Sequence, residues 1–355
     1  MTASFRYVAA QAARPTEVFV GLVGEAPPPP PARGLAAIDA GVARAAPEFV
    51  AAAIRAARLE GDVRLVLEGG EALKSLDGVE RLFDAFADAG LDRRSRILAV
   101  GGGALLDAVG FAAAAWHRGT PLHLAPTTLV AQVDAALGGK SALNVRGAKN
   151  QVGFVRQPER ILADPAALRT LPEAERLSGL GEVVKTALLA GGALWELLRA
   201  RGAALRAGAS AETAEAVAHA LRYKASVVEA DPEETSGARH ALNLGHTAGH
   251  VLEAVALARG VDLPHGLAVA AGLAVEARVA PGADLASIEA ALRAVDLPAT
   301  PPCAPSKDEA AALLARDKKR SGAATLLLPI VRRPGETALV EASIDALASA
   351  LAAAS

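Results

Sequence analysis

The stretch RILAVGGGALLDAVGFAAAAWHRGTPLHLAPTT, residues 96–128, decides the fold class. Its first apolar run, 97–100, has the length and the Ile, Leu and Val content of a buried strand. Three glycines at 101–103 end the run, and apolar residues at helical spacing follow over 104–116. A second strand-like run occupies 121–125. Strand, helix and strand in this order make a parallel pair with a helical crossover. The alternation continues on either side, with strand-like runs at 17–23 and 63–67 and helical stretches at 48–59 and 75–89. The first half is therefore expected to be a doubly wound, Rossmann-like α/β layer. Five consecutive prolines at 27–31 read as a stiff surface connection.

From about residue 173 the pattern changes. Helical spacing runs through 177–198, 211–230, 249–258, 267–279, 286–294 and 307–316, with glycine and proline between the segments. A strand-like run at 324–331 and an alanine-rich last helix at 343–354 complete the chain. The expected division is an α/β domain over 1–172 and a mainly helical domain over 173–355, a comfortable split for 355 residues.

Composition excludes several classes. A net charge of −2 leaves no basic footprint for nucleic acid. No apolar run is long enough to predict a membrane span, and no signal pattern opens the chain. A single cysteine, Cys303, excludes an internal disulfide framework and fits a reducing, cytoplasmic setting. Of the 37 basic residues only 8 are Lys, and most of those lie in the motifs below. Lys presents a compact ammonium where Arg presents a broad planar fork.

Three segments carry chemistry. Gly101-Gly102-Gly103 opens a helix, which suits a pyrophosphate at its N-terminus and equally suits a plain tight turn. The loop-like segment from Pro126 to Asn150 gathers Thr127, Thr128, Asp134, Lys140, Asn144, Lys149 and Asn150 around Gly138-Gly139, a composition suited to an anionic, hydroxylated ligand. His246 and His250 share a helix face, and His265 returns 19 residues after His246. With Glu182 as the candidate carboxylate, these histidines suit a transition metal. Glu182 and Lys185 stand three apart in an apolar helix, which a plain ion pair would also explain.

Taken together, GEALKSL, GGGALLDAVGF, RGTPLHLAPTTLVAQVDAALGGK, AKN, GLGEVVK, LRYK, ALNLGHTAGH, HGLAVAAGL and DKK resemble, in order and spacing, the dehydroquinate synthase branch of the sugar phosphate cyclases. The resemblance spans residues 39–319. It implies a lyase of the shikimate pathway that releases phosphate from 3-deoxy-D-arabino-heptulosonate 7-phosphate and closes the product to 3-dehydroquinate. It implies NAD held by Asp39, Glu71, Lys74, Gly102, Gly103, Asp107, Thr127, Thr128, Thr170 and Leu171. It implies zinc or cobalt on Glu182, His246 and His265. Substrate would meet Lys140, Lys149, Asn150, Lys185, Lys224, Arg239, Asn243, His250 and one of Lys318 or Lys319. Asp134 would orient the reacting hydroxyl, and Arg118 would reach the phosphate of a neighbouring subunit, which implies a homodimer.

The chain departs from the family at Leu267, where a Glu able to support the metal site is usual. Ala148 and Val145-Arg146 also differ, and the first 35 residues fit poorly. Other readings are a different sugar phosphate cyclase, a metal-dependent glycerol or alcohol dehydrogenase, and a non-catalytic paralogue. The dehydrogenase reading needs few phosphate-gripping cations, and this chain has many.

Overall fold

The structure, a computed structural model, describes residues 3–7, 15–208, 210–232, 234–315 and 324–354. The chain divides into two compact units. One holds Met1–Pro172 and Thr213–Glu233, the other Glu173–Glu212 and Glu234–Ser355.

The first unit is built on a seven-stranded sheet. Its strands are β1 (Ala3–Tyr7), β2 (Thr16–Val20), β3 (Ala32–Asp39), β4 (Leu59–Leu67), β5 (Arg96–Gly101) and β6 (Leu122–Pro126). A separate hairpin, β7 (Lys140–Val145) and β8 (Ala148–Val155), precedes the last sheet strand, β9 (Arg160–Ala163). The order across the sheet is β1-β2-β9-β6-β5-β3-β4, and every pairing is parallel except β1 with β2. Helices α1 (Ala40–Ala45), α2 (Pro47–Ala57), α3 (Leu76–Asp88) and α4 (Gly103–Ala115) supply crossovers. All six residues of β5 are buried, as both-faced covering of a parallel sheet requires. From β3 the chain winds outward to β4 and then back through β5, β6 and β9. The switch point therefore lies between β3 and β5.

Two elements differ from the sequence expectation. β3 is a central strand although its sequence, ARGLAAID, has only one β-branched residue, Ile38, to signal it. Gly34 marks a register shift within it, and a Cβ there would collide with the Arg96 carbonyl. The end of the expected loop-like segment Pro126–Asn150 is instead part of the β7–β8 hairpin. Every residue of β8 is exposed, so no burial alternation betrays it. The prolines at 27–31 are fastened by buried guanidinium groups. Arg96 donates to the Pro30 and Ala57 carbonyls, and Arg160 donates to that of Pro27. Lacking N–H groups, prolines can be held only through their carbonyls.

The second unit contains α5 (Glu173–Ala190), α6 (Gly192–Arg206), the start of α7 (Ser210–Ala230), α8 (His246–Ala258), α9 (His265–Val279), α10 (Leu285–Ala294) and α11 (Lys307–Leu314). The hairpin β10 (Thr325–Arg333) and β11 (Glu336–Ser343) and helix α12 (Ile344–Ala352) complete it. Its core joins Leu252, Val275, Leu314, Leu328 and Leu347. The single helix expected over 177–198 is two helices. Gly191 and Gly192, with φ of 60° and 51°, break it in the left-handed region that glycine tolerates. No helix among the described residues is long and apolar enough to cross a membrane.

Candidate active site

Three helices of the second unit bring the candidate metal ligands together. α5 is buried continuously from Ser178 to Leu189, so Glu182 is an acid inside the core, with no exposure. Gly181, its neighbour, lies against Gly266, the neighbour of His265. A Cβ on Gly181 would collide with the Gly266 carbonyl, and one on Gly266 with the Ser178 carbonyl. The helices thus touch backbone to backbone beside both ligands, and Ser178 Oγ accepts the Gly266 N–H at 2.9 Å. α8 starts at His246 itself, after Gly245 at φ 75°.

The result is a tight cluster. Glu182 Oε1 lies 3.4 Å from His265 Nε2 and 3.7 Å from His246 Nε2, and the three donors all fall within 4.8 Å of one another. The other oxygen, Oε2, is 2.5 Å from Lys185 Nζ. Neither carboxylate oxygen receives a well-angled hydrogen bond, although both are buried. A buried acid left so, facing two imidazole nitrogens, is what a cation would satisfy. Two His and one Glu leave further coordination positions for a substrate, as in catalytic zinc sites. The residues fit a divalent transition metal.

Both imidazoles are oriented from behind. Glu253 Oε2 stands 3.2 Å from His265 Nδ1, and the Leu244 carbonyl stands 3.1 Å from His246 Nδ1. Burial, reinforced by the Lys185 ammonium, lowers the His246 pKa to about 3. Burial also opposes a charge on His265, but the Glu182 and Glu253 carboxylates beside its two ring nitrogens outweigh it and raise that pKa to about 10. Burial pushes the Glu182 carboxyl up, and Lys185 with the two histidines pulls it well below the carboxylate range. The His250 ring lies 5.6 Å from that of His246 and 6.2 Å from that of His265. Asn243 and the buried Arg239 sit on the 3-10 turn just before α8.

In the first unit, the candidate nucleotide residues follow the carboxyl ends of the parallel strands, where open α/β sheets take ligands. Asp39 ends β3 and caps α1 through Val42 N–H. A Cβ on Gly101 would touch Asp39, and one on Gly102 would lie 3.0 Å from Thr128, so these residues are neighbours around the switch point. No side chain caps α4 at Gly102, which leaves its first turn suited to an anion. Thr127 N–H donates to the Gly101 carbonyl. Glu71 and Lys74 follow β4, while Thr170 and Leu171 end a 3-10 turn after β9. Glycine backbone and an uncapped helix start at the switch point fit a dinucleotide.

The hairpin is tied to this end. Buried Lys74 Nζ is 2.7 Å from Asp107 Oδ2 and 2.5 Å from Asn150 Oδ1, and Asn144 Nδ2 donates to Glu71 at 2.7 Å. Burial raises the Asp107 pKa against the pull of Lys74. Asp134 sits in a single π turn, Ala131–Ala135. Lys224 of α7 reaches its Oδ1 at 2.5 Å and its carbonyl at 2.6 Å. Lys140 and Lys149 are exposed on the hairpin, and Arg118 is exposed at φ 63°. Lys318 and Lys319 lie outside the described residues.

Two acids were missed from the sequence. Glu253 follows His246 and His250 at helical spacing of four and then three, a polar stripe on an apolar helix. Glu276 is the first acid after His265 in an otherwise apolar run and is equally visible.

The family described as 3-dehydroquinate synthase N-terminal matches residues 64–178, and that described as 3-dehydroquinate synthase C-terminal matches residues 179–320. A 3-dehydroquinate synthase of Pyrobaculum islandicum is 38% identical over 301 residues, 82% of this chain and 86% of that protein. Among solved structures, a 2-deoxy-scyllo-inosose synthase complexed with carbaglucose-6-phosphate, NAD+ and Co2+ superposes with a TM-score of 0.87 at 24% identity, covering 99% of this chain and 100% of that one. A 2-epi-5-epi-valiolone synthase from Streptomyces hygroscopicus subsp. jinggangensis, with NAD+ and Zn2+ bound, gives 0.83 at 27% identity and covers 97% of each chain.

Proposed function

This chain belongs to the 3-dehydroquinate synthase family, and we propose that it releases phosphate from 3-deoxy-D-arabino-heptulosonate 7-phosphate and forms 3-dehydroquinate. The observation that carries the reading is the convergence of Glu182, His246 and His265 on one point inside the second unit. In this reading residues 1–172 carry the nucleotide contacts and residues 173–355 the metal and most substrate contacts.

When bound, NAD would supply reversible hydride removal from a substrate carbinol carbon, and zinc or cobalt on Glu182, His246 and His265 would supply Lewis acidity at its oxygen. The chain's own groups do the rest. Lys185, His250, Asn243 and Arg239 hold the phosphate and neighbouring hydroxyls, and Lys140, Lys149 and Asn150 add hydrogen-bond donors from the hairpin, with Lys318 or Lys319. Asp134, steadied by Lys224, orients the reacting hydroxyl. Asp39, Glu71, Lys74, Gly102, Gly103, Asp107, Thr127, Thr128, Thr170 and Leu171 are assigned to the dinucleotide. The enzyme acts in the cytoplasm as a homodimer, with Arg118 reaching the phosphate bound by a second copy.

The test is phosphate release from the seven-carbon substrate with a trace of NAD and added zinc or cobalt. Expected is many turnovers per NAD without net reduced nicotinamide. Stoichiometric reduced nicotinamide without phosphate release would mark a dehydrogenase instead.

A further inference from the structure

Glu276 is a buried acid in an apolar helix, and no role assigned above uses it. It is 2% exposed on α9, three turns after His265 and on the same face. Its Oε2 accepts the N–H of Gly245 at 3.0 Å, and its Oε1 accepts that of Ala248 at 2.8 Å. Those two donors bracket His246. Gly245 offers α8 no side-chain cap of its own, so an acid from α9 takes that place, where negative charge is favoured. The backbones abut here as well, because a Cβ on Gly272 of α9 would collide with the Gly245 carbonyl.

We propose that Glu276 is a positioning residue for the metal centre, clamping the first turn of α8 to α9 and so fixing His246 relative to His265. The inference rests on Glu182, His246 and His265 being the ligands. Each histidine helix then receives an acid from the other, Glu253 from α8 to His265 and Glu276 from α9 to the turn that carries His246.

The test uses Glu276→Gln, Glu276→Asp and, as a control for general destabilisation, Leu351→Ala in the core of α12. An amide at position 276 sets its NH2 against one of the two backbone donors, and Asp falls one methylene short. Cobalt affinity, measured against a competing chelator, is expected to drop at least about tenfold in the Gln variant, and less in the Asp variant. The visible spectrum of the cobalt-loaded Gln variant should change shape. Leu351→Ala should lower the unfolding temperature while leaving affinity and spectrum intact. If the Gln variant does not fold, the Asp variant decides by the same two readouts. Wild-type affinity and spectrum in a folded Glu276 variant, whatever its unfolding temperature, would overturn the proposal. Absence of cobalt binding by the wild-type protein would overturn the ligand assignment beneath it.

Discussion

Glu253 and His265 face each other across α8 and α9 with Oε2 and Nδ1 3.2 Å apart, a contact that turns His265 Nε2 toward Glu182. Removing the acid leaves the ring free to rotate and less basic. Glu253→Ala is expected to fold normally and to bind cobalt or zinc roughly 10–100-fold more weakly. Chelator competition measures the change, and unaltered affinity would remove Glu253 from the centre.

The three clustered imidazoles are expected to separate by role. His246→Ala and His265→Ala each leave two protein ligands and should lose bound metal together with activity. His250→Ala should keep its metal and lose turnover. Elemental analysis of the purified variants decides, and full metal content in either of the first two contradicts the assigned set.

Lys185 and Glu182 form an ion pair that is almost wholly buried, with 2.5 Å between Nζ and Oε2. Lys185→Met strands a carboxylate in the core, which costs about 3–5 kcal/mol in the metal-free protein. Added zinc or cobalt should recover much of that loss, as denaturant titrations with and without metal would reveal. Lys185→Arg keeps the charge but brings a broader head. It is expected to lower kcat/KM roughly ten- to a hundredfold. Near-normal kinetics would mean that charge alone matters there.

The first unit should carry a pH dependence of its own. His123 on β6 is buried, and burial, with Arg96 and Arg160 nearby, holds its pKa well below the ordinary value. The folded protein keeps this ring neutral, while the unfolded chain protonates it near pH ~6.5. Below that pH only the unfolded state takes up the proton. Stability should therefore fall with acidification, by up to about 1.4 kcal/mol per pH unit from this group. His123→Gln should flatten that part of the profile. Equal slopes in both proteins would assign the dependence elsewhere.

The sheet and most helices were legible because burial writes apolar runs into buried strands and a helical period into helices. Residues 97–100, a continuous apolar run, and 121–125, a run interrupted only by His123, became β5 and β6. Where a strand carries neither an apolar run nor an alternation, the reading failed. β8 is exposed along its length, and half of β3 is Ala or Gly, directly after a proline run. The break between α5 and α6 was hidden because apolar spacing continues through Gly191-Gly192. At the candidate site, residue types were legible and supporting contacts were not. His246, His265 and Glu182 are chemically conspicuous, whereas Ser178 and Glu276 matter only through the helices that touch them.

The Lys224–Asp134 contact has a consequence for synthesis. The ribosome releases every strand of the main sheet, then α5 and α6 of the other unit, and only afterwards α7 with its ammonium. A nascent chain halted before α7 would carry the π turn of Asp134 without its Lys224 contact. The first unit thus receives its last segment, Thr213–Glu233, only after 40 residues of the other unit, Glu173–Glu212, have been made. Quality control in the cell would meet a complete sheet still lacking the helix that carries Lys224 until that helix has left the exit tunnel.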